Sequence, residues 1–436
     1  MNHEKLTYVT QESCVNIEVL TSTLEEHGSS LCERSTMNDY DIIGDMIDDD
    51  LQSEPHILWD INYLYASFRK AFKSSSWKGE PQKFETNFLT ELVKISNELQ
   101  SHIYRPNPTI EFVLNERGKI RYIHGNTIRD RIVRHNLCDN IINPIVFSKI
   151  IYNNGASQKG KGMSFSRSQF ERHLHNFFIK NKSNDGYIMF IDFSKFYDNI
   201  PHDKLRSMFE ELLDPEAMWL LDLIIQSFNI DITQFPTIDP DDKFDSIAFH
   251  DLIAEEISDL PIRLLNKGID IGDQTSQTIG IFYPTRIDTY VTLVRHHKWY
   301  GRYMDDIYII HESKEYLEET YAGIVKLCKE LGLYINEKKT HICKLSDTFK
   351  YLQIKYTLTD TGKIIKRINP KSITRERRKL KAYKRLLDNG VLQYEDIEQA
   401  YKSWICQYYK IMSKEQIKNM QNMYKELFGK EVRYKK

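Results

Sequence analysis

Two short apolar segments that run into aspartate residues constrain this chain more than any other feature. The first, YIMFID (187–192), predicts a buried strand that ends at Asp192. The second, RYMDDIYII (302–310), predicts a strand, a tight turn holding Asp305 and Asp306, and another strand. If these strands are neighbours in one sheet, the three carboxylates converge at one edge. An Asp-Asp pair in a turn is usually only a solvated turn, but the β-forming residues on both sides favour convergence.

Carboxylates brought this close repel each other and need a compensating cation. Mg²⁺ fits because it takes hard oxygen ligands and bridges phosphate groups. Two such ions, about 3.5–4 Å apart, can activate an attacking hydroxyl and stabilise a leaving pyrophosphate. We therefore expect two Mg²⁺ ions, with Mn²⁺ as a substitute, held by Asp192, Asp305, Asp306 and the backbone carbonyl of Phe193.

The bulk composition excludes several classes of protein. With 436 residues, 41% of them hydrophobic, the chain predicts two or three packed subdomains. No apolar run reaches the roughly 18 residues that span a bilayer, and the polar start argues against a secretory signal, so we expect a cytoplasmic protein without membrane contact. The six cysteines form no CxxC pair, which favours reduced structural thiols over a disulfide framework or a zinc ribbon.

Charge is unevenly distributed, although the formal net charge is only −2. Residues 1–60 hold two basic residues against fourteen acidic ones. By contrast, residues 101–180 hold 13 Lys and Arg against 5 Asp and Glu, and residues 371–436 hold 17 against 8. Basic blocks suit a polyphosphate backbone, with solvated helix faces as the plainer interpretation. The acidic head has no strong period and predicts an accessory or partly disordered arm.

Hydrophobic spacing predicts the remaining elements. We expect helices over 57–99 (broken by the loop SSSWKGEP), 128–150, 275–294, 314–331 and from 372 onward. We expect paired strands within 110–124 and a hairpin from 349–356 and 363–368. A Gly- and Lys-rich loop covers 155–164, and an acidic, partly helical insertion covers about 213–262.

An ordered series of motifs resembles the reverse transcriptases. The segments FIDFSKFYDNIP (190–201) and YMDD (303–306) are similar to motifs A and C of that family, with QTSQTIG (274–280) between them similar to motif B. Further resemblances to motifs D and E and to the fingers motifs of bacterial members are carried by LGLYINEKKT (331–340), FKYLQI (349–354), IRDRIVRH (128–135) and YNNGASQKGKG (152–162). The resemblance covers about residues 56–356.

The resemblance implies an α+β fold, a right-hand polymerase with a palm of antiparallel sheet plus helices, fingers and a helical thumb. The expected division is an acidic arm over 1–55, fingers over 56–185, a palm over 186–356 that carries the 213–262 insertion, and a basic helical thumb over 357–436. Its implied partners are an RNA template, a DNA product and deoxynucleoside triphosphates, while the oligomeric state stays open.

The resemblance also assigns roles around the nucleotide. Asp192 and Asp305 would ligate the metal ions, and Asp306 would complete the cluster. Tyr197 matches the aromatic side chain that occupies the space of a ribose 2′-hydroxyl, with the adjacent Phe196 as the alternative. Gln274 matches the glutamine that lines the incoming nucleotide.

Cationic side chains are expected to bind phosphates. Lys119 and Arg121 are candidates for gripping the triphosphate, and Lys339, with Lys338 as its rival, is a candidate general acid for the pyrophosphate. The expected contacts with the nucleic-acid backbone are Arg129 (with Arg131 as a weaker candidate), Lys159, Lys161, Arg377 and Lys381.

Two departures from the family pattern leave subtype and primer contacts open. Motif B reads QTSQ, similar to diversity-generating retroelements and some bacterial defence enzymes, where group II intron and retroviral enzymes have Gln-Gly. Motif E has Gln353 after Leu352 where the family has Leu-Gly.

Three hypotheses follow. The first is an RNA-directed DNA polymerase, working in antiphage defence or as a retroelement enzyme with a dedicated noncoding RNA; with no appended endonuclease or integrase region expected, a self-sufficient mobile intron is disfavoured. The second is a template-independent or protein-primed DNA polymerase of the abortive-infection type, and the third a catalytically silent RNA-binding protein. The intact aspartates argue against the third, and Tyr197 argues against an RNA-synthesising enzyme.

Overall fold

The computed structural model describes residues 56–116, 119–228, 230–231 and 264–432 of the chain. The acidic arm expected over 1–55 lies outside the described residues, as does most of the expected 213–262 insertion. Within the described part of the chain, no helix is long and apolar enough to cross a membrane.

Helices and short strands occur in mixed order along the described residues. In chain order the helices are α1 (Ile61–Lys73), α2 (Gly79–Thr86), α3 (Phe88–Gln100), α4 (Ile128–Leu137), α5 (Asn143–Lys149), α6 (Met163–Asn181), α7 (His202–Glu210), α8 (Pro215–Gln226), α9 (Gln274–Phe282), α10 (Thr285–Thr289), α11 (Lys314–Leu331), α12 (Pro370–Asp388), α13 (Tyr394–Tyr408) and α14 (Lys414–Phe428). Single π-helical turns at Cys138–Ile142 and Tyr290–Val294 continue α4 and α10.

All four sheets are antiparallel. Their strands are β1 (Ile110–Glu116), β2 (Lys119–Gly125), β3 (Tyr187–Ile191), β4 (Ile230–Asp231), β5 (Leu264–Leu265), β6 (Trp299–Tyr303), β7 (Asp306–His311), β8 (His341–Lys344), β9 (Phe349–Tyr351), β10 (Ile354–Leu358) and β11 (Ile364–Ile368). The sheets are the pairs β1–β2 and β4–β5, the three-stranded β11–β10–β9, and the four-stranded β6–β7–β3–β8.

The four-stranded sheet positions the candidate site. Its central strands β3 and β7 are buried over nearly their whole length, because each is an unbroken apolar run covered on both faces. Ile191, Ile307 and Ile309 belong to a large core shared with the surrounding helices. Buried antiparallel strands of this kind hold the residues at their ends in fixed register.

Most predicted elements are present, and helices with antiparallel sheets confirm the α+β class. Helix α11 has the predicted bounds, because Ser313 caps its first turn and Gly332 ends it in the left-handed conformation. The single helix expected over 275–294 is wrong: the chain breaks after α9 at Pro284. The hairpin expected over 349–368 is a three-stranded sheet.

Contacts divide the described residues into two units. One unit comprises the described residues up to Phe177 together with Gly186–Lys344. It contains the core of the expected palm and most of the expected fingers. The other combines Phe178–Asp185 with the chain from Leu345 onward. Its boundary thus lies before the expected 356/357 division, because β9–β11 associate with the C-terminal helices: Ile368 packs into the same core as α12, α13 and α14.

Candidate active site

The central sheet brings two of the predicted aspartates to one edge. The register of β3 with β7 ends at the pair Ile191–Ile307, so the next residue, Asp192, lies beside the start of β7. The β6–β7 hairpin closes through a two-residue turn formed by Met304 and Asp305. The end of β3 and the tip of this hairpin are therefore adjacent.

The electrostatics of Asp305 reflect this proximity. Burial raises the pKa of Asp305, and the negative charge of Asp192 raises it further. The cationic side chains of Lys339 and Arg121 act in the opposite direction. Two carboxylates and two cations thus interact at the hairpin tip, and for Asp305 the effects of burial and of Asp192 on the pKa outweigh those of the two cations.

Lys339 lies directly on Asp192. Its Nζ is 2.6 Å from Oδ1 and 2.9 Å from Oδ2 of Asp192, so one ammonium group spans the carboxylate. The backbone holds this arrangement, since the amide of Asn336 donates to the carbonyl of Asp192 over 2.8 Å and the amide of Lys339 donates to the carbonyl of Asn336. Lys339 and the neighbouring Lys338 are both exposed.

The residues at the hairpin tip offer two neighbouring carboxylates to a metal ion. Among the described residues no group of three or more His, Cys, Asp and Glu side chains could hold a metal, so Asp306 is not gathered with Asp192 and Asp305 into a three-carboxylate cluster. Asp306 instead begins β7, paired with Tyr303 in the β-ladder. Mg²⁺ commonly uses only one or two protein carboxylates and completes its shell with phosphates and water. The neighbouring carboxylates of Asp192 and Asp305 fit that requirement.

The carbonyl of Phe193 faces away from the neighbouring backbone segment. Phe193 and Ile335 form an antiparallel bridge in which the amide of Ser194 donates to Tyr334 and the amide of Asn336 donates to Asp192. This bonding pattern turns the amide and carbonyl of Phe193 itself to the opposite side of the strand. The carbonyl is thus not consumed by this bridge.

Tyr197 and Phe196 differ in their surroundings. Phe196 is buried and stacks against Phe193 at a centroid distance of 5.5 Å, as an ordinary core residue does. Tyr197 is partly exposed, and its hydroxyl lies 3.4 Å from Sδ of Met304 in the hairpin turn. A Cβ added to Gly280 of α9 would lie 2.9 Å from that hydroxyl, so the ring is packed between the turn and α9.

Gln274 is the first residue of α9. The helix starts here because Asp273 caps it, accepting from the amide of Thr275 over 2.7 Å. Asp273 is in turn fixed by a buried ion pair with Arg134, with Nη1 and Oδ2 2.7 Å apart. Nε2 of Gln274 donates to Asp139 over 2.8 Å, while its Oε1 is buried and has no hydrogen-bond partner among the described residues.

Arg121 on β2 extends the site from the β1–β2 hairpin. Its positive charge opposes the rise in the pKa of both Asp305 and Tyr197, which places the guanidinium within electrostatic reach of the hairpin turn. Lys119 begins the same strand, and its side chain lies outside the described part of the chain.

The other predicted cations have different environments. Arg129 pairs with Glu98 and Asp130 and stacks on the ring of Tyr104 at 4.5 Å, so its guanidinium is engaged within the fold. This argues against the predicted nucleic-acid contact. Arg131 is similarly engaged, donating to the carbonyl of Ala71 and to two serine hydroxyls.

The two lysines of the 155–164 loop, Lys159 and Lys161, also have different environments. Lys161 donates to the carbonyls of Tyr152 and Asn154 and lies 5.0 Å above the Tyr152 ring, and burial lowers its pKa. It therefore organises its own loop, beside an open cavity of about 470 Å³ that also holds Phe165. Lys159 is exposed. In the second unit, Arg377 and Lys381 are both exposed and, four residues apart on α12, share a face.

Arg302 was not anticipated as part of the site. It is fully buried in β6, pairs with Asp288 over 2.6 Å and donates to the carbonyls of Ile281 in α9 and Met304 in the turn. Met304 has a positive φ of 56°, which costs a non-glycine residue about 1–2 kcal/mol, and the Arg302 hydrogen bond helps to hold it there. The signal in the sequence was an arginine inside an otherwise uncharged strand.

Comparison with solved structures finds distant likenesses. A telomerase from Candida albicans in complex with a TWJ fragment of telomeric RNA has a TM-score of 0.43 and 10% identity, covering 76% of this chain and 56% of its own. An apo telomerase from Candida tropicalis, truncated from the C-terminal domain, has a TM-score of 0.38 and 12% identity, covering 62% and 58%. The chain thus spans little more than half the length of these neighbours.

A family model supplies the decisive comparison. Comparison with curated protein sequences gave no match. The model described as reverse transcriptase (RNA-dependent DNA polymerase), however, matches residues 113–356, more than half of the chain. That region contains β3, the β6–β7 hairpin turn, α9 and the Lys339 segment, and the chain therefore belongs to the reverse transcriptase family.

Proposed function

We propose that this chain is an RNA-directed DNA polymerase that extends a primer on an RNA template with deoxynucleoside triphosphates. The observation that carries the proposal is the approach of Asp192 and Asp305 at the β6–β7 turn, where burial and the negative charge of Asp192 raise the pKa of Asp305. Membership of the reverse transcriptase family supports the same reaction class.

The proposed division of labour starts with the carboxylates. Asp192 and Asp305 would hold Mg²⁺, or Mn²⁺ in its place, with the carbonyl of Phe193 as a further oxygen ligand. The carboxylate of Asp306, next to the turn, would complete the cluster. Bound there as a pair, these ions would make the primer 3′-hydroxyl more acidic and neutralise charge on the leaving pyrophosphate.

The surrounding cations would bind and protonate the leaving group. Arg121, and Lys119 beside it, would grip the triphosphate. Lys339 keeps an ammonium proton within hydrogen-bond reach of the Asp192 carboxylate, close to where pyrophosphate would depart, and is the proposed general acid. Tyr197 would fill the space of a ribose 2′-hydroxyl, and Gln274 would line the nucleotide pocket.

A primer-extension assay tests this proposal. Purified protein is given a primed RNA template, the four deoxynucleotides and Mg²⁺, and the products are sequenced. Complementary DNA from the wild type, with a loss of at least about 10³-fold in Asp305→Asn, is the expected result. The control is that Asp305→Asn keeps the wild-type circular dichroism spectrum, which shows that the loss of activity does not come from unfolding of the variant.

Other outcomes would favour the alternatives. Homopolymer made without any template would favour template-independent or protein-primed synthesis. RNA binding with no synthesis in Mg²⁺ or Mn²⁺ would favour a silent RNA-binding protein. Equal activity of wild type and Asp305→Asn would contradict the proposed reaction centre.

For the biological role we propose bacterial antiphage defence with a dedicated noncoding RNA as template. The QTSQ form of residues 274–277, similar to that of defence-associated enzymes, supports this assignment. Sequencing the nucleic acids that co-purify with wild type and with Asp305→Asn tests it. One structured RNA in both samples, with its DNA copy only in the wild type, is expected; a random RNA population would count against it.

A further inference from the structure

We propose that Asp139 is the positioning residue for Gln274: it fixes the Gln274 amide so that the carbonyl oxygen, a hydrogen-bond acceptor, is offered to the incoming nucleotide. The inference deepens the proposed function and rests on it. Asp139 lies in the π-helical turn Cys138–Ile142, a departure from regular helix of the kind that often occurs at functional sites.

The contact between the two side chains is short and partly buried. Nε2 of Gln274 donates to Oδ1 of Asp139 over 2.8 Å. The same oxygen accepts from the side-chain nitrogen Nδ2 of Asn143 at 3.3 Å. Asn143 also contacts α9 one turn further on, where the hydroxyl of Thr278 donates to Oδ1 of Asn143 over 2.9 Å. Helix α9 is thus anchored twice to the segment that carries Asp139.

Asp139 remains a carboxylate at neutral pH. Burial alone would raise its pKa, but the nearby side chains of His135 and Lys70 lower the pKa below its ordinary value. Lys70 Nζ lies 3.2 Å from Oδ2 and His135 Nδ1 lies 3.6 Å from it. An ionised carboxylate can only accept hydrogen bonds, so the NH₂ group of Gln274 must face Asp139.

The orientation of the other end of the amide follows. With one N–H of its amide donated to Asp139, Gln274 holds Oε1 on the other side of the amide, and that atom is buried without a hydrogen-bond partner among the described residues. A buried acceptor left unpaired costs about 1–3 kcal/mol. A hydroxyl or amino group on the bound nucleotide would remove that cost, so the arrangement favours a ligand that brings a donor to this point.

The isosteric substitution Asp139→Asn tests the inference. An asparagine amide can donate to Oε1 of Gln274, so the glutamine amide can turn over and present NH₂ in place of the acceptor. We expect the KM for deoxynucleotides to rise about tenfold, equivalent to about 1.4 kcal/mol, with kcat changed less than about threefold. Asp139→Glu keeps an ionised acceptor and should restore part of the lost affinity.

A double-mutant cycle separates positioning from a general structural role. If Asp139 acts through Gln274, Asp139→Asn will have no further effect on KM in a Gln274→Ala background. Asp222→Asn is the matched control, because Asp222 also loses an ion pair, with Arg206, but in a part-exposed position on α8; its KM should be unchanged.

The outcomes are distinguishable. A wild type that extends no primer would overturn the proposed function and this inference with it. An active wild type whose KM is unaffected by Asp139→Asn would overturn the inference alone. So would an effect of Asp139→Asn that persists at full size in the Gln274→Ala background.

Discussion

At the scale of single residues, the sequence predicted that the carboxylates of Asp192 and Asp305 lie close together. It did not predict the side-chain contacts around them. Asp192 and Asp305 could be found because each ends or joins an apolar strand, and strand ends are fixed by the sheet. Asp139 could not be found, because it acts through a contact with a residue more than a hundred positions away, and the signal for Arg302 was only a charged residue in an otherwise uncharged strand. No local pattern records such contacts.

The position of Tyr197 leads to a prediction about sugar selection. Its ring is packed between Met304 and Gly280, and these contacts hold the side chain beside the hairpin turn. Replacing it by alanine should raise incorporation of ribonucleotides relative to deoxynucleotides by about 10–100-fold, the range expected for changing the fit of one small group. Single-nucleotide incorporation with both triphosphates measures this ratio.

Tyr197→Phe is the control, since it keeps the ring and removes only the hydroxyl. It should retain discrimination within a few-fold of the wild type. If Phe196→Ala changed the ratio and Tyr197→Ala did not, Phe196 would be the residue that senses the sugar.

At the scale of elements, prediction succeeded where local end signals exist. Helix α11 was predicted with its observed bounds, and the structure shows end signals at Ser313 and Gly332, whereas β9 and β10 were predicted as one strand. The reason is that the chain reverses at Leu352 and Gln353, with φ of 39° and 71°, although neither residue type favours the left-handed conformation. Tyr351 pairs with Ile354 across this turn, which requires positive φ at both central positions.

This turn predicts a stabilising substitution. Gln353→Gly removes the Cβ penalty of about 1–2 kcal/mol but adds a backbone entropy cost of about 0.5–1 kcal/mol, for a net gain of about 0.5–1 kcal/mol. The midpoint of urea unfolding should rise accordingly. Gln353→Ala keeps the Cβ and should give no gain; equal effects of glycine and alanine would show that the strain is not at this residue.

Helix α12 carries a buried carboxyl that makes stability depend on pH. Burial raises the pKa of Glu376 to about 7, against an ordinary value of 4.5, with Lys379 lowering it in part, and its Oε1 has no hydrogen-bond partner among the described residues. Because the pKa is raised on folding, the stabilising contribution of the neutral form is complete below about pH 4.5 and is lost as the pH rises through about 7.

Glu376→Gln should therefore stabilise the chain at alkaline pH. At about pH 8 we expect a gain of about 2–4 kcal/mol in the free energy of unfolding, and little difference at about pH 4.5. Thermal unfolding at both pH values measures this. Glu426→Gln, at an exposed position on α14, should show no such difference; a gain from Glu376→Gln that does not change with pH would exclude titration of Glu376 as its source.

At the scale of the whole molecule, the near-neutral net charge conceals a strongly basic C-terminal segment. Arg377 and Lys381 are exposed one turn apart on α12, whereas Leu380 and Tyr383 of the same helix are buried. If the two exposed side chains bind the nucleic-acid backbone, each lost phosphate contact lowers the slope of log K against log salt concentration by about 0.9. Arg377→Ala/Lys381→Ala should therefore weaken binding to a primed RNA template and reduce that slope by about 1–2.

A direct contact of α12 with the nucleic acid and a general attraction by the basic segment predict different salt dependences. Lys414→Ala/Lys418→Ala removes the same charge from another exposed helical face, on α14, and gives the matched control. A contact at α12 requires the α12 pair to lower the slope more than the α14 pair, whereas a diffuse field from the whole unit would make the two pairs equal. Equal slopes, measured by fluorescence anisotropy across a salt series, would thus remove α12 from the nucleic-acid interface while leaving the aspartate site unaffected.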